Sequence, residues 1–121
     1  MNRVPVRCRQ QCEDKLLLLA SRSESNRGEW DRFAAHDIKI VGSIAYKLAL
    51  VAAGFADATF SLGQKNEWDI AAGVLLVHEA GGIATDKNYQ TIIFNQPQVS
   101  VNGIVATSMM AERHVHRLLV D

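Results

Sequence analysis

Apolar positions along the chain alternate between short continuous runs and helical repeats, and this alternation predicts the elements. Residues 15–21 carry the run Leu16–Ala20, the pattern of a strand covered on both faces. Residues 23–35 are polar except for Trp30 and Phe33 at helical spacing, which predicts a surface helix. Residues 38–41 predict a second buried strand, ended by Gly42. From Ser43 to Ala53 the apolar residues Ile44, Leu48 and Val51 recur with helical period, and Gly54 supplies a stop. Residues 56–62 read as a third strand, followed by a polar loop over 63–67. Residues 69–80 form a strongly apolar helix closed by Gly81 and Gly82. Short β segments follow over 82–85 and 91–95, with a turn at 86–90. A further apolar stretch, 99–107, is interrupted at Asn102-Gly103, and Ser108 is placed to cap a last helix to Leu119. Alternating strands and helices with short connections predict an α/β fold, a central mixed sheet flanked by helices.

Composition bounds this picture. The chain has 121 residues, 48% of them hydrophobic and 21% charged, which suits one globular domain and excludes a disordered chain. With 13 basic and 13 acidic side chains it has no global attraction for nucleic acid or anionic lipid. No nucleic-acid or membrane partner is expected. The apolar run 16–20 is too short for a signal core or a membrane span, so a cytoplasmic location is expected. Cys8 and Cys12 form a Cys-x3-Cys pair that no second ligand pair completes, which favours free thiols.

Two predicted helix starts carry candidate chemistry. In Val41-Gly42-Ser43-Ile44-Ala45 a strand turns through glycine into a helix whose first N–H groups form an anion site, or simply a turn capped by Ser43. Lys47, one helical turn after Ser43, either reinforces phosphate binding there or is solvated. In the second start, Lys65-Asn66-Glu67-Trp68-Asp69, Asp69 is either an N-cap or a hard ligand for Mg²⁺. Trp68 would then pack and fix the loop. Ala71, Ala72 and Gly73 let this helix approach its neighbours closely. His114 and His116 face different directions, His78 reads as a packing or surface histidine, and Met109 and Met110 read as packing residues.

The run Glu67-Trp68-Asp69-Ile70-Ala71-Ala72-Gly73, followed by His78-Glu79-Ala80-Gly81-Gly82, resembles the C-terminal signature of the inositol monophosphatase family. The resemblance extends from about Leu16 to the C-terminus. It takes in Val41 to Lys47, Gly54-Phe55-Ala56-Asp57-Ala58 and Asn102-Gly103-Ile104-Val105-Ala106. It implies a Mg²⁺-dependent phosphomonoesterase and the C-terminal α/β domain of the sugar-phosphatase fold. Asp69 matches the family's metal-binding aspartate, and Gly42, Ser43 and Ile44 match the segment that holds substrate. The family's other metal ligands come from an N-terminal half with an Asp-Pro-Ile-Asp-Gly-Thr motif, which this sequence lacks. The resemblance therefore implies half of a two-domain enzyme, inactive alone.

Within the family, Tyr46-Lys47 resembles the 3′(2′),5′-bisphosphate nucleotidase branch, where a lysine meets the nucleotide's second phosphate. Ser61 stands where relatives carry an arginine or an acidic residue that reads the substrate. Arg22, in Ser21-Arg22-Ser23, either contacts phosphate or is an unliganded loop cation. The implied partner is a small phosphorylated substrate, a nucleotide bisphosphate before an inositol phosphate, and a homodimer is possible in such a family. The other expectation is a non-catalytic domain that pairs with itself or a partner through a face left exposed.

Overall fold

The computed structural model describes residues 6–94 and 100–120. Strand β1 (Leu17–Ala20) leads through helix α1 (Arg22–Asn26) and a 3₁₀ turn (Asp31–Phe33) to β2 (Asp37–Ile40). Helix α2 (Ile44–Ala52) connects to β3 (Ala58–Ser61). A two-residue strand, β4 (Lys65–Asn66), runs into α3 (Glu67–Glu79), followed by β5 (Ile83–Thr85). Strands β6 (Ser100–Val101) and β7 (Ile104–Thr107) precede the last helix, α4 (Glu112–Val120). The main sheet has the order β2-β1-β3-β7-β5, and β4 pairs with β6 apart from it. Strands β2, β1 and β3 are parallel, whereas β7 runs antiparallel to both of its neighbours. The mixed, helix-flanked α/β sheet is the one predicted.

Both faces of this sheet are covered, which explains the continuous apolar run at its centre. Leu19 points with Ile104 and Ala106 into one core, filled by Leu48 and Val51 of α2 and Ile70, Val74 and Val77 of α3. Leu18 and Ala20 point the other way, with Ala58, Phe60 and Val105, against Trp30, Phe33 and Val115. Helices α2 and α3 are in close contact at Gly73, where an added Cβ would lie 2.7 Å from Leu48 Cβ and 2.5 Å from its Cδ1. The close approach predicted for Ala71, Ala72 and Gly73 rests on Gly73, since Ala72 is exposed. Helix α3 ends in a pair of reversed bonds, Gly82 N–H to Val77 O at 2.8 Å and Gly81 N–H to His78 O at 3.1 Å.

The segment before β1 joins the same fold. Cys8 is buried, and its N–H donates to Ala80 O at 3.0 Å. Arg9 donates through Nε to Gly54 O at 3.0 Å and through Nη2 to Phe55 O at 3.1 Å. Its Nη1 stands 3.5 Å from Oδ2 of the buried Asp57, an oxygen that also accepts the Leu17 N–H at 2.8 Å. Both cysteines are free.

Three expected elements differ. The surface helix over 23–35 is broken, because Gly28 sits at φ +79° and turns the chain inward. Trp30 and Phe33 are therefore buried, with Trp30 stacked on Phe60 at 4.4 Å between ring centres and Phe33 edge-on to the same ring at 5.2 Å. The second strand is an edge and not a buried strand, for β2 pairs with β1 alone and Asp37, Lys39 and Ile40 are exposed. Of the segment expected over 91–95, Thr91 forms an isolated bridge to Thr85 and Asn95 lies outside the described residues. Val99, where the following apolar stretch was expected to start, lies outside them too. Ser108 acts at the start of the last helical segment as expected, its Oγ accepting the Ala111 N–H at 3.2 Å. Met109 and Met110 are exposed and not packed. No helix among the described residues is long and apolar enough to cross a membrane.

Candidate functional site

Strands β1, β2 and β3 run parallel, so their carboxyl ends share one edge of the sheet. The chain leaves β1 towards the Trp30 layer and leaves β2 towards the opposite layer, where α2 packs. A crevice opens where adjacent strands send their connections to opposite faces, and ligands of α/β sheets bind in it. Here it is a cavity of about 370 Å³. Ser21 after β1, Ser43 after β2 and Ser61 at the end of β3 all line it, with Glu24, Lys47 and Asp69. A second depression of about 410 Å³ shares Ser43, Ile44 and Asp69 and extends to Ala45 and Trp68. A larger one, about 550 Å³, lies apart from these residues, beside Arg9 and Met109. Chemistry, not size, selects the first.

The α2 start is built by Ser43 rather than by glycine freedom at Gly42. Ser43 holds φ 63° and ψ 119°, a conformation that L residues rarely adopt. Its Oγ accepts the Tyr46 N–H at 3.3 Å, so Ser43 is the N-cap predicted. Gly42 is exposed and precedes it, with nothing within 4 Å of an added Cβ.

Lys47 is not solvated, because only 4% of it is exposed. Its Nζ donates to Val41 O at 3.2 Å, which leaves two of the three ammonium donors for the cavity. Among the described residues no carboxylate lies within ion-pair distance of it. Burial pushes the Lys47 ammonium below the ordinary lysine value; Glu24 opposes this and Lys65 adds to it. A buried cation without an ion partner favours an anion placed beside it.

Glu24 is a residue of the candidate site that the sequence reading missed. It is buried at 7% exposure, and one carboxylate oxygen accepts from Trp30 Nε1 at 3.2 Å while the other accepts from Ser61 Oγ. Burial works to raise its carboxyl, but the hydrogen bonds from Ser61, Trp30 and Ser21, with Lys65 nearby, bring it below its ordinary value. The local signal was present: Ser21-Arg22-Ser23-Glu24 has capping-box spacing, and the Glu24 N–H does donate to Ser21 Oγ at 3.1 Å. Nothing local shows that Trp30 and Ser61 complete the site.

Asp69 is not the cap of its helix. Asn66 takes that role, its Oδ1 accepting the Trp68 N–H at 2.9 Å, and α3 begins at Glu67. The Asp69 carboxylate is thus left exposed in the first turn, lining both depressions. It is a hard oxygen donor of the kind Mg²⁺ takes. Among the described residues, however, no group of three or more His, Cys, Asp or Glu side chains gathers into a metal site. One carboxylate does not hold the ion alone. Trp68 does not pack as expected, being 82% exposed.

The remaining candidates lie elsewhere. Arg22 is exposed and does not line the cavity; Arg27, which does, pairs with Glu29. His78 is exposed, with Nε2 3.3 Å from Ala84 O. His114 rests edge-on to His36 and His116 stacks on Tyr89, so the two face different neighbours as predicted.

A parallel-strand crevice with a capped helix start, a buried ammonium and two carboxylates makes this an α/β protein with a candidate anion site. The family model for the inositol monophosphatase family matches residues 3–120, and the chain belongs to that family, a family of phosphatases that are generally metal-dependent. The match begins well before Leu16, in keeping with the packed segment around Cys8. The 3′(2′),5′-bisphosphate nucleotidase CysQ of Aggregatibacter actinomycetemcomitans is 39% identical over 83 residues, 69% of this chain and 31% of its own length. The Nus factor SuhB of Xylella fastidiosa is 58% identical over 52 residues, 43% of this chain and 18% of its own. An inositol monophosphatase structure from Anabaena superposes with a TM-score of 0.78 at 26% identity, over 98% of this chain and 48% of that one. The chain thus spans under a third of the curated relatives and about half of the solved one.

Proposed function

We propose that the chain is the C-terminal α/β domain of a Mg²⁺-dependent phosphomonoesterase acting on 3′(2′),5′-bisphosphate nucleotides. One observation carries this reading: Lys47 is a buried ammonium with two spare donors, set beside the α2 start. A phosphate there takes up the lysine donors and the free N–H groups of the helix start together. Asp69 contributes one ligand to Mg²⁺, and the remaining ligands belong to a partner half of the enzyme. The ion would activate water and stabilise the leaving oxygen. An inositol phosphate or another sugar phosphate is the alternative substrate. The 39% match to a bisphosphate nucleotidase favours the nucleotide.

Titration of this chain with inorganic phosphate tests the site directly. Lys47→Ala should weaken binding at least tenfold, and wild-type affinity should fall as pH rises below the ordinary lysine value, where the ammonium loses its proton. Unchanged affinity in Lys47→Ala would refute the assignment. In an assembly carrying both halves, Asp69→Asn should abolish Mg²⁺-dependent phosphate release from adenosine 3′,5′-bisphosphate; alone, the chain should release none.

A second reading, a non-catalytic interaction domain, draws on Trp68, Tyr46 and Leu75, all more than half exposed on α2 and α3. Failure of phosphate to bind, with self-association across a concentration series, would favour it.

A further inference from the structure

The β5 edge of the main sheet carries a cavity of its own, about 190 Å³, which shares no lining residue with the cleft at Lys47. Four side chains in register lie beneath it, Ile83 opposite Thr107 and Thr85 opposite Val105, on one face of β5 and β7. Helix α4 lines it through Glu112 and His116, one turn apart on the same side of that helix. Tyr89 lines it too, its ring stacked on that of His116 at 4.0 Å between centres. Tyr89 holds φ 63°, in a turn fixed by Asp86 Oδ1, which accepts the Asn88 and Gln90 N–H groups at 2.8 and 3.0 Å.

Two polar groups here lack partners among the described residues. Thr107 is 2% exposed, and its Oγ1 makes no hydrogen bond. Its neighbour Thr85 does not serve it, since the Thr85 hydroxyl donates to Asp86 O at 2.9 Å. The half-buried Glu112 carboxylate has no ion pair. Its charge acts on the cavity wall nonetheless: burial first, and Glu112 after it, push the Tyr89 phenol above its ordinary value. A hydroxyl oxygen accepts two hydrogen bonds, and an ionised carboxylate only accepts.

We propose that this cavity is a binding site for a small organic cation, a primary ammonium on a short apolar body. Such a group brings three donors and no acceptor, which suits Glu112 and Thr107 together. Aromatic side chains favour a cation beside them, and Ile83 and Val105 offer apolar surface to its body. Glu112 repels an anion, and a neutral apolar guest leaves both polar groups unpaired. A dry cavity of about 150 Å³ takes up benzene, so 190 Å³ admits a body of that size. A nucleotide is too large for it and of the wrong sign. The site is therefore separate from the phosphate cleft and does not depend on the reading given to that cleft.

The test is an NMR titration of this chain with benzylammonium, its neutral isostere benzyl alcohol, and benzoate. The wild type should bind benzylammonium at least about tenfold more tightly than the alcohol and should not bind benzoate. The shifts should centre on the Tyr89 and His116 rings and the Ile83 and Val105 methyls. Glu112→Gln should bring benzylammonium to within about twofold of the alcohol. Thr107→Val should weaken benzylammonium about threefold or more while keeping or raising the thermal midpoint, since it removes an unpaired buried hydroxyl. If Thr107→Val fails to fold, the exchange at the half-buried Glu112 decides the matter. No benzylammonium binding, equal binding of the alcohol, or a preference that survives Glu112→Gln overturns the site. Shifts centred on the Lys47 cleft, or potassium chloride perturbing the same resonances as strongly as benzylammonium, overturn it as well.

Discussion

Ser43 holds a backbone conformation that L side chains avoid, with φ at 63°. Such a conformation costs on the order of 1–3 kcal/mol and persists only where the surroundings impose it. Glycine adopts it without penalty, and exchanging a serine cap for glycine loses only a few tenths of a kcal/mol. Ser43→Gly should therefore keep or raise the thermal midpoint while weakening phosphate binding, because the loosened turn no longer fixes the helix-start N–H groups. Calorimetry beside a phosphate titration checks both halves; a clear loss of stability would contradict the strain. At this scale the sequence revealed Ser43, Lys47 and Asp69 because each sits at a helix start or one turn from it. It left open whether Lys47 was solvated and whether Asp69 capped its helix. Only tertiary placement decides these, through the burial of Lys47 and the cap taken by Asn66.

At the level of elements, the contact between α2 and α3 sets the separation of Lys47 from Asp69, since each helix carries one of them. Gly73 lets the helices close, with Leu48 occupying the volume a side chain would need. The clash involves Leu48 Cβ as well as its flexible end, so rotamer change alone does not relieve it. Gly73→Ala should destabilise the fold by about 1–3 kcal/mol, the usual cost of overpacking, measured by urea unfolding. An unchanged midpoint would mean that the helices slide apart freely. The helical period of 44–53 and 69–80 was plain in the sequence. The stretch around Trp30 was not, because two aromatics at helical spacing fit both a surface helix and an inward turn. Gly28 makes the turn locally, and the Trp30–Phe60 stack settles the choice through a residue on a distant strand.

Across the whole molecule, pH couples the last helix to the sheet through His36. Its Nδ1 accepts the Leu16 N–H at 3.0 Å, and its ring lies 5.2 Å from that of His114 on α4. Burial lowers His36 below the ordinary histidine value; His114 and Lys15 add to this, while Asp37 opposes it. The folded chain therefore binds fewer protons than the unfolded chain in the window just below that value, and stability rises with pH across it. Acidification through the window should lower the midpoint, and His36→Gln should flatten the dependence. A slope identical in the variant would place its origin elsewhere. The α/β class and the parallel strand ends were legible from alternation alone. The cavity they enclose was not, because it joins residues from three separate connections, those after β1, β2 and β3.

The Arg9 side chain ties three backbone and side-chain oxygens of the 54–57 corner to a segment that looks, by pattern, like a polar leader. Its consequence concerns where this unit of structure can be cut. A boundary drawn at the first apolar run would remove the cation nearest a buried carboxylate and pull Cys8 out of the core, although neither residue belongs to any predicted strand or helix. The candidate cleft lies away from that corner, at the far ends of the same two strands. An excised or grafted version of this domain must therefore carry its irregular first turn with it, or it transfers the cleft without the fastening that keeps the cleft's two strands in register.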